Sequence, residues 1–354
     1  MRNYNYEWYL KDTKFTKDQG KVFSCFACGG GSTMGYKLAG FDVLGCNEID
    51  PKMMGAYRAN HNPKYSYLEP IQTFKNRKDL PTELYNLDIL DGSPPCSSFS
   101  MAGNREKDWG KEKKFREGQA EQVLDNLFFD FIDLAKELQP KIIMAENVKG
   151  LMMGAAIEYV RKIYDAIDDA GYYCQHWLLD ASKMGIPQRR ERVFFICLRK
   201  DLAEPFLYQK DMFTQAPYLD LNFKDQPIYF RDIEDSEAGP DETIRDSYKE
   251  LWTNCKPGYN FSTVHPKGHY FGENKLHYDK TPNTIIANSS GSFLWHPTQL
   301  RKISPLEYSR IGTYPVDYDF GQNNQKYLIG MSVPPVMVAK IATKILTQWK
   351  SIFK

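Results

Sequence analysis

The stretch Lys21-Val22-Phe23-Ser24-Cys25-Phe26-Ala27-Cys28-Gly29-Gly30-Gly31 decides the fold. Its apolar run, Val22 to Phe26, reads as a buried strand that stops at glycines, and Ser32 to Leu38 behind it reads as a helix. The same texture continues outward. Phe41 to Cys46 predicts a second strand ending at Asn47-Glu48-Ile49-Asp50, and Leu87 to Asp91 a third that runs into a proline-rich turn. From Glu121 to Leu138, apolar residues at Val123, Leu124, Leu127, Phe128, Phe131, Ile132, Leu134 and Ala135 keep helical spacing. Lys141 to Ala145 and Val193 to Leu198 predict further strands, with a helix between them from Ile157 to Ala170 that Gly171 stops. Val336 to Trp349 predicts a last apolar-striped helix. Strands alternating with helices imply an α/β fold, a doubly wound and mostly parallel sheet.

Composition narrows the class. With 354 residues, 42% of them hydrophobic and 14% aromatic, the chain has ample material for a core and is no disordered polymer. Lys plus Arg number 46 against 45 for Asp plus Glu, so any grip on a polyanion must rest on a local patch. Seven scattered cysteines do not make a secreted disulfide framework. The start, Met1 to Glu7, lacks the apolar stretch of a signal peptide, and no apolar run approaches a membrane span. A soluble, cytoplasmic protein without a membrane partner is expected. Texture divides the chain into an N-terminal extension (1–20), an α/β domain (21–204), a smaller irregular domain (205–297) and a segment returning to the first domain (298–354). Between 205 and 280, nine Lys/Arg stand against thirteen Asp/Glu.

Several residues are candidates for chemistry. Glycines after a strand let a cofactor approach the backbone, and Glu48, about twenty residues on, has the spacing of an acid that holds ribose hydroxyls. An ordinary tight turn explains the same glycines, and G-x-G-x-x-G is absent. Cys25 and Cys28 have C-x-x-C spacing, but no second ligand pair accompanies them, so packing is expected rather than metal or redox chemistry. In Gly92-Ser93-Pro94-Pro95-Cys96-Ser97-Ser98-Phe99-Ser100, two prolines fix the backbone ahead of Cys96, the setting of a nucleophilic thiol. A buried cysteine in a proline turn is the plainer alternative. Arg105 to Gly118, with six basic and four acidic residues around Trp109, reads as a mobile lid or as a solvated loop. Glu146 in Glu146-Asn147-Val148 ends a strand at the edge where open α/β sheets bind ligands, or caps a helix. Arg190 and Arg192 in Gln188-Arg189-Arg190-Glu191-Arg192-Val193 alternate onto one face, toward one ligand or toward surface carboxylates.

Together these blocks resemble the DNA cytosine-5 methyltransferase family. Phe26 to Asp50, Gly92 to Ser100, Asn126 to Asp130, Glu146 to Val148, Gly185 to Val193, Arg301 to Phe320 and Tyr327 to Pro335 stand in the family's order. They cover nearly the whole chain from Val22 to Ile341, with 205–280 matching nothing specific. The resemblance implies the S-adenosylmethionine-dependent methyltransferase fold, with 205–297 in the place of the target-recognition domain. It implies that Cys96 attacks C6 of a cytosine turned out of double-stranded DNA. Glu146 then contacts N3 and the exocyclic amine, Arg192 the ring oxygen, and Arg190 supports Arg192. The residue types suit this chemistry. C5 of cytosine is a poor nucleophile, thiolate addition at C6 makes it enamine-like, and a carboxyl at N3 stabilises the charge arriving on the ring.

Phe26, Gly29, Gly31, Glu48, Ile49 and Pro95 would line the S-adenosylmethionine site, with Leu127 and Ser332 closing it and S-adenosylhomocysteine leaving. No metal is implied. Ser97 to Gly118 becomes a lid over the flipped base. Three positions depart from the family pattern: Cys28 stands where the first glycine of the turn is usual, Met331 where asparagine is usual, and Glu69-Pro70-Ile71 only loosely matches the acidic contact to adenine. The expected setting is a restriction-modification, prophage or orphan enzyme acting as a monomer in a bacterial or phage-infected cell. A cognate restriction endonuclease of the same site is an expected associate. The alternatives are an inactive nucleic-acid-binding relative and a tRNA cytosine-5 methyltransferase, whose Cys-Phe-Thr signature has its nearest text here in Asn260-Phe261-Ser262-Thr263, without the cysteine. Lys256, Lys267, Lys275, Tyr259, Asn260, His265 and His269 are the candidate DNA contacts in the irregular domain.

Overall fold

A computed structural model of the chain describes residues 4–95, 112–113, 122–123, 126–154, 156–209 and 215–353. The opening stretch forms β1 (Lys21–Cys25), the glycine turn and α1 (Gly31–Ala39). β2 (Asp42–Glu48), α2 (Pro51–His61), β3 (Tyr65–Leu68), α3 (Ile71–Phe74) and β4 (Ile89–Gly92) follow. Next come α4 (Leu127–Leu138), β5 (Ile142–Val148), α5 (Ala156–Asp169), β6 (Tyr172–Asp180) and β7 (Glu191–Arg199). The seven strands make one sheet in the order β3-β2-β1-β4-β5-β7-β6. The first five run parallel, and β7 lies antiparallel between β5 and β6. This is the doubly wound, mostly parallel sheet expected.

Period-two alternation divides each central strand between two cores. Phe23, Leu90, Ile143 and Phe195 face α4 and α5, while Val22, Ile89, Ile142, Phe194 and Ile196 face α1 and the C-terminal helix. Between strands, local chemistry sets the helix starts. Asp50 caps α2 by accepting from the amides of Lys52 and Met53 at 2.8 and 3.2 Å, with Pro51 at the first helical position. One expectation fails at a helix start: α4 begins at Leu127, not near Glu121. Val123 keeps the apolar period, but its backbone pairs as a strand with Glu112, and side-chain spacing alone cannot distinguish the two.

The remaining chain returns to this sheet. Residues 219–223 lay Leu219, Leu221 and Phe223 on the α1 face, and a separate small core begins only at Ile244, with Leu251, Phe261 and Trp295 around α6 (Asp246–Asn254). After it come α7 (Pro305–Gly312), α8 (Gln325–Met331) and α9 (Pro335–Gln348). Gln325–Gln348 is apolar enough by composition to count as a membrane-length stretch, contrary to the sequence reading; 78% of the window is buried in the protein, and Pro334 separates its two helices. α9 crosses α1 at Gly31 and Gly35, one turn apart: a β-carbon would lie 2.5 Å from the Val333 carbonyl oxygen at the first and 2.5 Å from that of Pro335 at the second. The N-terminal extension is a strap over the same segment, with Trp8 donating its indole N–H to the Thr313 carbonyl at 2.9 Å and Glu7 pairing with Arg310 at 2.6 Å.

Ahead of α7, Arg301 forks onto Glu307 at 2.7 and 2.8 Å, and both side chains are almost wholly buried. Glu307 also accepts from the amides of Ser304 and Asp235, so one carboxylate joins the α7 capping box to the irregular domain. Replacing Glu307 with Gln leaves a buried guanidinium without its counter-charge. Equilibrium urea unfolding should show a loss of about 3–5 kcal/mol.

Candidate active site

The carboxyl ends of β4 and β5 lie side by side, because Gly92 pairs with Ala145. Glu146 follows Ala145, and its carboxylate takes the Arg192 Nε–H at 2.9 Å from the neighbouring strand β7. Both side chains are largely buried, at 12% and 17% exposure. Beside them Asn147, a buried residue with no role assigned from sequence, donates its amide to the Pro94 carbonyl at 3.2 Å. The strand that carries Glu146 thus also holds the proline turn leading to Cys96. Cys96 itself, with Ser97–Gly110 and most of the rest of the expected lid, lies outside the described residues.

Arg190 goes elsewhere. It stands one residue before β7, where its carbonyl still accepts from the Ala181 amide at 3.0 Å, and the charges of Arg192 and Glu146 act on its buried guanidinium. Its guanidinium donates to the carbonyls of Gly330 and Ser332 at 2.9 Å each and of Ile285 at 3.3 Å. The neighbours join the same seam. Gln188 accepts from the Ile285 amide at 3.3 Å, and Arg189 donates its amide to Pro282 at 2.8 Å and accepts from the Thr284 hydroxyl. Residues 188–190 therefore fasten the sheet edge to 282–285 and to the end of α8.

The glycine turn sits where β1 and β2 end. Glu48 is buried there, its carboxylate taking amide protons from Cys28 at 2.7 Å and from Ile49 and Asp50 at 2.8 Å each. Burial pushes its carboxyl up, and those amides pull it back. A carboxylate has about four acceptor positions, so one remains for a hydroxyl donor. Phe26, Ile49 and Pro95 are half-buried at the same ends, so an acid and apolar walls fit the adenosine part of the expected cofactor. Leu127 is fully buried in the core, and the Ser332 hydroxyl accepts from that of Tyr314 at 2.6 Å. Gly29 and Gly31 face the protein: a β-carbon at Gly29 would meet Leu328 and the Tyr318 hydroxyl, and one at Gly31 the Val333 carbonyl. Cys28 adopts φ 50°, the left-handed backbone a glycine would take without strain. Its thiol is pushed up to about 12, chiefly by burial and then by Glu48, and that of Cys25 is raised by burial too, so neither is a ready nucleophile. Among the described residues, no group of three or more His, Cys, Asp or Glu gathers as a metal site.

A cleft of about 530 Å³ separates the sheet edge from the irregular domain. Asp180, Arg189 and Glu191 from the α/β domain and Asn260, Phe271 and Asn274 from the irregular domain are among the residues that line it. Of the candidate DNA contacts, Asn260 is in the cleft, while Tyr259, Lys256, Lys267 and His269 are exposed near it in sequence. Lys275 is corrected: it is buried, its ammonium on the Trp252 ring at 3.7 Å and bonded to the Trp252 carbonyl at 2.8 Å.

A buried acid without a signature in the sequence lies on the same sheet. Asp91 on β4 pairs in register with Met144, two residues before Glu146, and accepts from the Tyr36 hydroxyl at 3.1 Å. Burial first, and the charge of Glu146 last, raise its carboxyl to about 7, against the pull of the Tyr36 and Ser24 hydroxyls. The folded state thus holds this proton across a range where the unfolded chain has released it, and stability falls as pH rises from about 4 to 7. Asp91→Asn should leave the melting temperature near wild type at pH 4 and raise it by several degrees at pH 8, as calorimetry at the two pH values will read.

Comparison with known proteins agrees with this arrangement. The family described as C-5 cytosine-specific DNA methylase matches residues 20–347. The Type II methyltransferase M.NgoPII of Neisseria gonorrhoeae is 33% identical over 351 residues, covering 92% of this chain and 95% of its own. M.Eco47II of Escherichia coli, also a Type II methyltransferase, is 28% identical over 343 residues, with 91% and 78% covered. Among solved structures, a putative DNA modification methyltransferase encoded within an E. coli prophage superposes with a TM-score of 0.64 at 22% identity, covering 93% and 99%. A Spodoptera frugiperda DNMT2 mutant gives 0.63 at 18%, with the same coverage. A match running from the first strand to the last helix, over a sheet edge that pairs Glu146 with Arg192, places the chain in the C-5 cytosine-specific DNA methylase family.

Proposed function

We propose that this chain methylates C5 of a cytosine turned out of a specific duplex DNA sequence, with Cys96, Glu146 and Arg192 as its catalytic residues. The observation that carries the assignment is the ion pair of Glu146 with Arg192 beside a proline turn that Asn147 holds. The Cys96 thiolate forms a bond to C6, and the displaced electron pair makes C5 nucleophilic while Glu146 gives a proton to N3. Arg192 steadies the carboxylate and faces the ring oxygen. After transfer the C5 proton leaves to a base, its electron pair re-forms the ring double bond and expels Cys96 as thiolate, and N3 returns its proton to Glu146. Bound S-adenosylmethionine supplies the electrophilic methyl group and leaves as S-adenosylhomocysteine. Glu48 holds its ribose, with Phe26, Ile49 and Pro95 as walls, while Gly29, Gly31, Leu127 and Ser332 shape the site from behind. Arg190 is a positioning residue that seats the β7 edge on the chain's last block.

The irregular domain, within 205–297, recognises the target across the cleft from Arg189, and Ser97 to Gly118 closes over the extruded base. One duplex can be clasped between these parts, so the chain acts as a monomer, in the cytoplasm of a bacterial or phage-infected cell. A restriction endonuclease of the same site is its natural associate. Binding should weaken as salt rises, because phosphate contacts release counterions.

Bisulfite sequencing of plasmid DNA from a methylation-free host expressing the protein should show protected cytosines in one sequence context. Cys96→Ala should abolish protection while calorimetry still records binding of S-adenosylhomocysteine; residual turnover in that variant would refute the covalent route. Glu48→Ala should weaken that binding at least about ten-fold, the worth of one charged hydrogen bond. Unprotected DNA together with protected tRNA from the same cells would move the substrate to RNA.

A further inference from the structure

The most exposed large apolar side chain among the described residues is Phe271, at 78%, and it lines the same cleft as Arg189 and Glu191. It is not on a loose loop. His265 and His269 stack at 4.9 Å, and the ring of Tyr270 packs on His265 at 5.2 Å and on Tyr248 at 5.4 Å. The His265 ring nitrogen accepts from the amides of Lys267 and His269 at 3.3 and 3.2 Å. Tyr270 then takes a left-handed backbone, φ 67°, and Gly272 follows with no room for a β-carbon against Ser292. Behind the loop, Glu273 is buried and takes the Trp295 indole N–H at 2.7 Å. An aromatic platform and a strained residue thus turn one ring outward. No ring contact to Phe271 occurs among the described residues.

What surrounds the ring defines its use. Glu191 also lines the cleft, and the residue that follows it in β7 is Arg192, whose partner is Glu146. On the reading above, a cytosine reaches those two residues only by leaving the duplex, which opens a gap and strips one stacking face from its partner base. A flat apolar ring presented into the same cleft at low entropic cost suits that gap. We propose that Phe271 enters the duplex at the target pair and stacks on the base orphaned by the extruded cytosine. The proposal rests on the base-extrusion reading and adds to it the residue that stabilises the opened helix.

Two duplexes carrying the target identified by bisulfite sequencing test it, one matched and one with an abasic site opposite the target cytosine. Binding is read by fluorescence anisotropy with the full chain and S-adenosylhomocysteine present. On the matched duplex, Phe271→Ala should bind on the order of ten-fold more weakly, whereas Phe271→Trp should stay near wild type. On the abasic duplex, where there is no base to stack on, wild type and Phe271→Ala should bind alike. An equal loss on both duplexes makes Phe271 a groove contact, and no loss on either makes it a bystander; each overturns the proposal. The ring is exposed, so the variant should melt within about 2 °C of wild type, and a larger drop would mean that the ring serves the fold. A matched duplex with 2-aminopurine at the target position reports extrusion separately. If wild type produces no fluorescence rise there, the base-extrusion reading fails and the proposal falls with it.

Discussion

Everything at the catalytic edge depends on how closely α9 can cross α1. Main-chain carbonyls at Val333 and Pro335 approach Gly31 and Gly35 to distances that no β-carbon tolerates. That contact seats the last block of the chain over the glycine turn, which brings the Ser332 hydroxyl to 3.7 Å from the Cys28 sulfur and offers two carbonyls to Arg190. A methyl group at either glycine would push the helices apart and disturb the turn, Ser332 and the β7 edge together. Packing density makes such displacements discrete, since a close-packed interior has no slack to absorb them.

The electrostatics of the edge follow from the sheet's register. Asp91 and Glu146 belong to adjacent parallel strands, with Met144 between them, and Arg192 reaches the outer carboxylate. The inner acid is buried away from water and held by Tyr36, so its charge is costly and its carboxyl titrates high. A chain of formal charge +1 can build such a site without a global field, because its charges are placed by strand pairing.

Much of this is legible without coordinates. Central strands bury both faces and show as apolar runs, which makes Val22 to Phe26, Lys141 to Ala145 and Val193 to Leu198 readable. β3 and β6 are not, because Tyr65–Leu68 is short and half exposed and Tyr172–Asp180 mixes polar and apolar residues at an edge. Glu146 and Arg192 can be named from their blocks, and the structure brings them together. The carbonyl partners of Arg190 are not readable, because they lie about a hundred residues or more further along the chain. Asn147, Asp91 and the seam of 188–190 with 282–285 have no local signature; each acts through a partner distant in sequence. Lys275 illustrates the converse, a lysine whose composition suggests phosphate and whose burial on Trp252 forbids it.

The path of Arg190 bears on how the protein is made. Its guanidinium rests on carbonyls 140 and 142 residues further along the chain. During synthesis the sheet's central strands emerge first, yet the arginine before β7 lacks its two shortest acceptors until α8 and the turn after it appear. Until then its burial is only partly compensated, and the edge holding Glu146 and Arg192 lacks its backing. Such long-range closure slows folding and makes completion of the site a late event. The edge would thus gain its backing in one late step, when α8 and α9 dock on the sheet.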